Sequence, residues 1–262
     1  MANLISFGDL LGQSLDLYEK NWKKLTIQTL WLFAGVLIGY IPYLGLIFLS
    51  DGRELMVAIP MRVLGFILFL ACLLPPTIRL NLMVLKLAKG EGAEPAAWNK
   101  VLALLLPTII IGLLEGILTV VGFILLVIPG IWLSVALGFA CYALWDDGAK
   151  GWGAIKRSYQ LVKGRWWATL VRVLVPHLLI GMAWFIAFAV AALCIAVLTV
   201  LGVMLIGLLG TVSSLAATIA SFVGIVLLVI AGLAAYFIPL LIMTPLSLIP
   251  SAKVYLSLKS TR

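Results

Sequence analysis

Three side chains stand where chemistry would have to happen if this chain performs any: Glu115, Arg172 and His177. Each interrupts a stretch otherwise free of charge. Residues 101–145 hold no Asp, Glu, Lys, Arg or His except Glu115, and residues 166–252 hold only Arg172 and His177. Glu115 lies in Gly112-Leu-Leu-Glu-Gly116, a GxxxG spacing that permits close helix approach. A carboxyl in such surroundings is protonated, paired or lining water, so it either binds a proton or cation or fastens helices together. Arg172 is shallow enough to snorkel toward the nearer interface. His177 follows Pro176, whose missing N–H leaves the carbonyl of residue 172 without its helical partner. A polar group beside such a kink (His177, or Thr108 after Pro107) can satisfy the freed backbone, which favours a structural role for His177 over general acid–base work. A membrane-embedded enzyme would need all three groups around one cavity.

Other chemistry has no foothold in the sequence. There is no GxSxG, P-loop, HExxH, carboxylate pair or glycine-rich dinucleotide turn. Cys72, Cys141 and Cys194 lie in apolar runs with no CxxC and no neighbouring His or acid cluster, which makes them small buried hydrophobes. The expectation is a non-enzymatic protein without metal or cofactor.

The elements that must position these residues are membrane helices. A bilayer core of ~30 Å takes about 20 apolar residues in helical form. The chain has 262 residues, 64% of them hydrophobic and 11% charged, with a mean hydropathy of +1.23. These values lie outside the range of soluble domains. The spacing predicts spans over residues 25–49, 63–85, 101–121, 123–145, 166–192 and 215–248, with Pro129-Gly130 forming the outer turn of a hairpin. The net charge of +8 is spread in short clusters flanking these runs, which argues against nucleic acid. With both termini on one side, that side holds Lys20, Lys23, Lys24, Lys86, Lys89, Lys100, Lys150, Lys156, Arg157, Lys163, Arg165, Lys253, Lys259 and Arg262. The other side holds Arg53 and Arg62, and Arg79 and Arg172 fall within spans. The positive-inside rule then places both termini in the cytoplasm. Trp22, Trp98, Trp145, Trp166 and Trp167 mark the inner boundary, and Tyr40, Tyr43 and Trp184 the outer one. The first 24 residues carry acids before bases and lack a cleavable signal's layout. Residues 194–214 fit an outer interfacial helix, a re-entrant piece or an extra helix pair.

Two further patterns concern organisation. LLLPTIIIG (104–112) matches VLVPHLLIG (173–181), TVVGFILLVIPG (119–130) resembles TVLGVMLIGLLG (199–210), and GQSLDLYEKNW resembles KRSYQLVKGRW, pairing Ser14 with Ser158. These matches suggest one integral membrane domain of an N-terminal amphipathic helix (1–24) and hairpin units over 25–89, 90–147 and 148–262. Trp152, Ile155, Tyr159 and Val162 share one helical face and Lys156, Arg157, Gln160 and Lys163 the other; Leu10, Leu11, Ser14, Leu17 and Tyr18 form a similar stripe. Such helices lie in the interface, favouring anionic lipid, or connect spans by packing against the bundle, and the two roles are compatible. Ser213, Ala217 and Ser221 form a small-residue face suited to self-association or a protein partner.

Across residues 121–167, Gly122, Pro129, Gly130, Asp146 or Asp147, Ala154, Ser158 and Lys163 form a recognisable series. It runs from a Gly and an apolar stretch to Ile-Pro-Gly, a span ending near an acid, Ala-x-x-x-Ser in a short helix, and a basic residue before the next span. In this the chain resembles the YciC-like bacterial inner-membrane proteins and the membrane domain attached to some glycerophosphoryl diester phosphodiesterases. The resemblance covers about a fifth of the chain and implies a six-helix inner-membrane protein without an assigned reaction. The soluble phosphodiesterase barrel of some relatives, of ~250 residues, has no room here, so its activity does not carry over. The reading is an all-α polytopic membrane protein of the bacterial inner membrane, lipid- or envelope-associated or a scaffold. The alternative is a small secondary transporter using Glu115.

Overall fold

The computed structural model describes residues 4–210 and 214–261. Among them every regular element is helical: α1 (Phe7–Ser50), α2 (Leu55–Lys89), α3 (Trp98–Leu125), α4 (Val127–Leu137), α5 (Ala140–Asp147), α6 (Trp152–Val162), α7 (Trp166–Gly210) and α8 (Ser214–Ser260). Six helical stretches, with α4 and α5 forming one, are long and apolar enough to cross a bilayer. This is a multi-pass integral membrane protein.

Ser6 starts α1 by accepting a hydrogen bond from the Asp9 amide at 3.1 Å, and the helix continues for 44 residues. The amphipathic segment and the first span are therefore one helix, with no break near Leu25. α1 and α2 pack closely through glycines. A side chain at Gly39 would place its Cβ 3.1 Å from the Phe69 carbonyl oxygen, and one at Gly35 would meet the Cys72 carbonyl and the Pro76 ring. Gly35 and Gly39 are thus a working small-xxx-small contact. Gly112 and Gly116 face open space instead, so the GxxxG around Glu115 makes no close helix approach among the described residues.

The α3–α4 hairpin also differs from expectation. The chain reverses at Leu126, which is fully extended (φ −168°, ψ 154°), and Pro129-Gly130 belongs to the first turn of α4. Proline is tolerated there because first-turn N–H groups have no intrahelical acceptor. Gly130 is needed for packing: a Cβ would collide with the Phe123 ring, and the backbones of Gly130 and Gly122 lie against each other. Residues 194–210 continue α7 without interruption, in place of an interfacial helix, re-entrant piece or extra pair; 211–213 lie outside the described residues. So does Ser213, while the Ser221 hydroxyl bonds its own helix at the Ala217 carbonyl (2.8 Å).

Two compact units result. One comprises Met1–Pro176 and Pro245–Arg262, the other His177–Thr244. The first holds a core in which Leu10 and Leu25 of α1, Leu80, Met83 and Val84 of α2, Phe139 and Tyr142 near α5, Leu161 of α6 and Tyr255 and Leu258 of α8 are buried together. In the second, Trp184 stacks on Phe188 and meets Tyr236 edge-on, while large apolar side chains such as Phe185, Val203, Phe222 and Ile230 stay exposed.

Candidate functional site

The polar groups that the structure does assemble lie where α2, α5, α6 and α8 end or begin. α5 starts with a problem: the helix breaks at Gly138–Phe139, and a buried break leaves backbone groups without partners. Ser158 of α6 resolves it. Its hydroxyl, fully buried, donates to the Ala136 carbonyl (2.8 Å) and accepts from the Phe139 amide (3.1 Å). Ala154, one turn earlier on α6, is also fully buried, and its small size lets α6 close onto α5. Lys163 caps the end of α6 through its amide, bonded to the Tyr159 carbonyl at 2.9 Å.

α5 ends in two acids before Gly148, which takes the left-handed conformation (φ 69°) that stops the helix. The side chain of Asp146 is 1% exposed and is gripped by Lys89 from α2 and by Lys259 from α8, the latter at 2.7 Å. Asp147 pairs with Lys259 and accepts hydrogen bonds from Arg157 Nε (3.4 Å) and the Tyr255 hydroxyl (3.3 Å). The Tyr255 ring is stacked on Tyr142 and tilted against Phe139. Two carboxylates thus tie four helices, and each charge has an opposite within reach. Similar devices hold the chain ends. Arg172 Nε donates to the Ile5 carbonyl (2.7 Å), the Ile5 amide donates to Ser257 Oγ (3.0 Å), and Arg165 bonds Thr261. Arg79 secures the α2–α3 loop by donating to the Ala96 carbonyl (3.0 Å) with its guanidinium over the Trp98 ring.

Glu115 and Arg172 make no hydrogen bond or ion pair with each other among the described residues. Arg172 is occupied with the backbone of Ile5 and Ala168. Glu115 is half-buried on α3 beside Cys141 of α5, with no hydrogen bond or ion pair among the described residues. His177 is exposed on α7, in an open groove with Gly181, Met182 and Phe185, in the other unit. Among the described residues no three metal-ligating side chains converge.

The amphipathic α6 buries part of the expected face, Ile155 and Val162, with Tyr159 packed against the core. Ala154, Ile155, Ser158, Leu161 and Val162 are buried, whereas Trp152 is 61% exposed. The helix packs as a connector, an arrangement compatible with a place in the interface. Sequence reading missed Lys89, Lys259 and Tyr255 as partners of the acids; the only signal was their position at helix ends, one of several such lysines. No family model, curated protein sequence or solved structure matches the chain.

Proposed function

We propose that this chain is a non-catalytic scaffold of the bacterial inner membrane, lipid- or envelope-associated, with its basic end and both termini in the cytoplasm. One observation carries the reading: the buried polar groups with geometry good enough for chemistry are spent on joining helices. Asp146 and Asp147 are neutralised by three cations, and Ser158 is saturated by backbone. The charge distribution supports the orientation, and the packed core at the basic end supports a platform that presents a fixed surface. The resemblance across residues 121–167 agrees, since all its positions serve packing or helix ends.

Reconstituted protein should give no proton- or ion-coupled flux under any imposed gradient. Coupled uptake abolished by Glu115→Gln would replace the scaffold with a transporter, a second reading supported by the carboxyl of Glu115, which has no hydrogen bond or ion pair among the described residues. A single cysteine at Asp51 should react with an impermeant reagent added outside spheroplasts; reaction only from the cytosolic side would reverse the orientation.

A further inference from the structure

A cleft of about 160 Å³ opens between the end of α2, the start of α3 and the end of α5. Leu82, Leu85 and Trp145 form its apolar walls, and Lys86, Lys89 and Lys100 surround them. Two acids, Glu91 and Asp146, also line it, but Glu91 pairs with Lys89 and Asp146 with Lys89 and Lys259. That leaves Lys86 and Lys100 without an ion-pair partner among the described residues; Lys86 reaches only the Glu94 carbonyl, at 3.4 Å. Trp145 has its indole N–H committed to Thr108 (3.3 Å), so it offers the cleft a ring. Two uncompensated ammonium groups above an apolar wall at the end of a membrane helix form the arrangement that takes an anionic headgroup.

We propose that this cleft binds a phosphate ester anion, with Lys86 and Lys100 on the phosphate and Leu82, Leu85 and Trp145 against the ester's carbon groups. The proposal rests on the lipid-associated reading and gives it a location. The same chemistry is offered by a phospholipid headgroup and by free glycerol phosphate.

The test uses full-length protein in nanodiscs of phosphatidylcholine with a minor fraction of phosphatidylglycerol. Native mass spectrometry then counts retained lipid, with inorganic phosphate and glycerol 3-phosphate as soluble competitors. Wild type should retain phosphatidylglycerol over phosphatidylcholine. Lys86→Gln with Lys100→Gln should weaken retention about 25-fold, about fivefold for each lysine. Lys86→Arg with Lys100→Arg should keep it, and Lys20→Gln with Lys163→Gln, an equal charge loss away from the cleft, should change it less than about twofold. Displacement by millimolar glycerol phosphate would identify a soluble ester as the ligand; resistance would identify a lipid, and either supports the site. Phosphatidylglycerol retained equally by wild type and the cleft variant overturns the site while leaving the lipid-associated reading intact. No preference for either phosphate probe in wild type overturns both.

Discussion

The two ends of helix α8 live under different rules. Its last turns, with Tyr255 and Leu258 fully buried, sit in a core whose charges and hydroxyls are matched across α2, α5 and α6. Its earlier stretch belongs to the unit His177–Thr244, where the most apolar window has no buried residue at all. In water the second region would be unstable, since so large an exposed apolar surface has no counterpart among soluble proteins. In a bilayer it is already solvated, because lipid tails are as apolar as leucine and give no hydrophobic reward for helix contact. Polar contacts are therefore concentrated where the chain leaves the hydrocarbon, while within it close approaches such as that of Gly35 and Gly39 to α2 decide which helices meet.

This contrast can be broken by paired substitutions, measured as shifts in detergent-induced unfolding. The largest effect is expected for Tyr255→Ala, which removes a buried ring stacked on Tyr142 and its bond to Asp147, at about 4 kcal/mol; Phe222→Ala, on the exposed side of the comparison, should cost less than about 0.5 kcal/mol. Gly39→Leu should cost about 3 kcal/mol, because its Cβ meets the Phe69 backbone, whereas Gly112→Ala should be neutral or stabilising by up to about 1 kcal/mol through helix propensity. Asp146→Asn leaves Lys89 and Lys259 without a shared counter-charge and should cost about 2 kcal/mol, less than a fully buried pair because both lysines are partly solvated. Ser158→Ala strands the Ala136 carbonyl and Phe139 amide and should cost about 1–2 kcal/mol; Ser14→Ala, whose hydroxyl only returns to its own helix, should cost a few tenths. Equal losses for Tyr255→Ala and Phe222→Ala would show that the basic end is no more specified than the rest.

Particular residues show how far the sequence could be read. Span number and approximate position followed from runs of apolar residues, because hydropathy is a local property that lipid enforces directly. Helix ends were less legible. Pro129-Gly130 looks like a turn, yet the chain turns at Leu126, since proline fits a helix's first turn and glycine is required by the Phe123 ring. Two GxxxG spacings in the chain are alike locally, but Gly35–Gly39 meets α2 and Gly112–Gly116 meets nothing. Ser14 and Ser158 occupy matched positions in similar segments; only Ser158 faces a broken helix that needs both a donor and an acceptor.

By itself the sequence determined that this chain is helical, crosses the membrane repeatedly and keeps its positive charge mostly outside the apolar runs, because each of these depends on composition over a few turns. The tertiary structure alone decided which of the many terminal lysines hold Asp146 and Asp147, which glycines touch a neighbour, and that Arg172 is spent on the backbone of Ile5 and Ala168. Those outcomes depend on which of many interchangeable apolar faces come together. Lys259 lies 113 residues from Asp146, and nothing in the local pattern of either segment records that pairing.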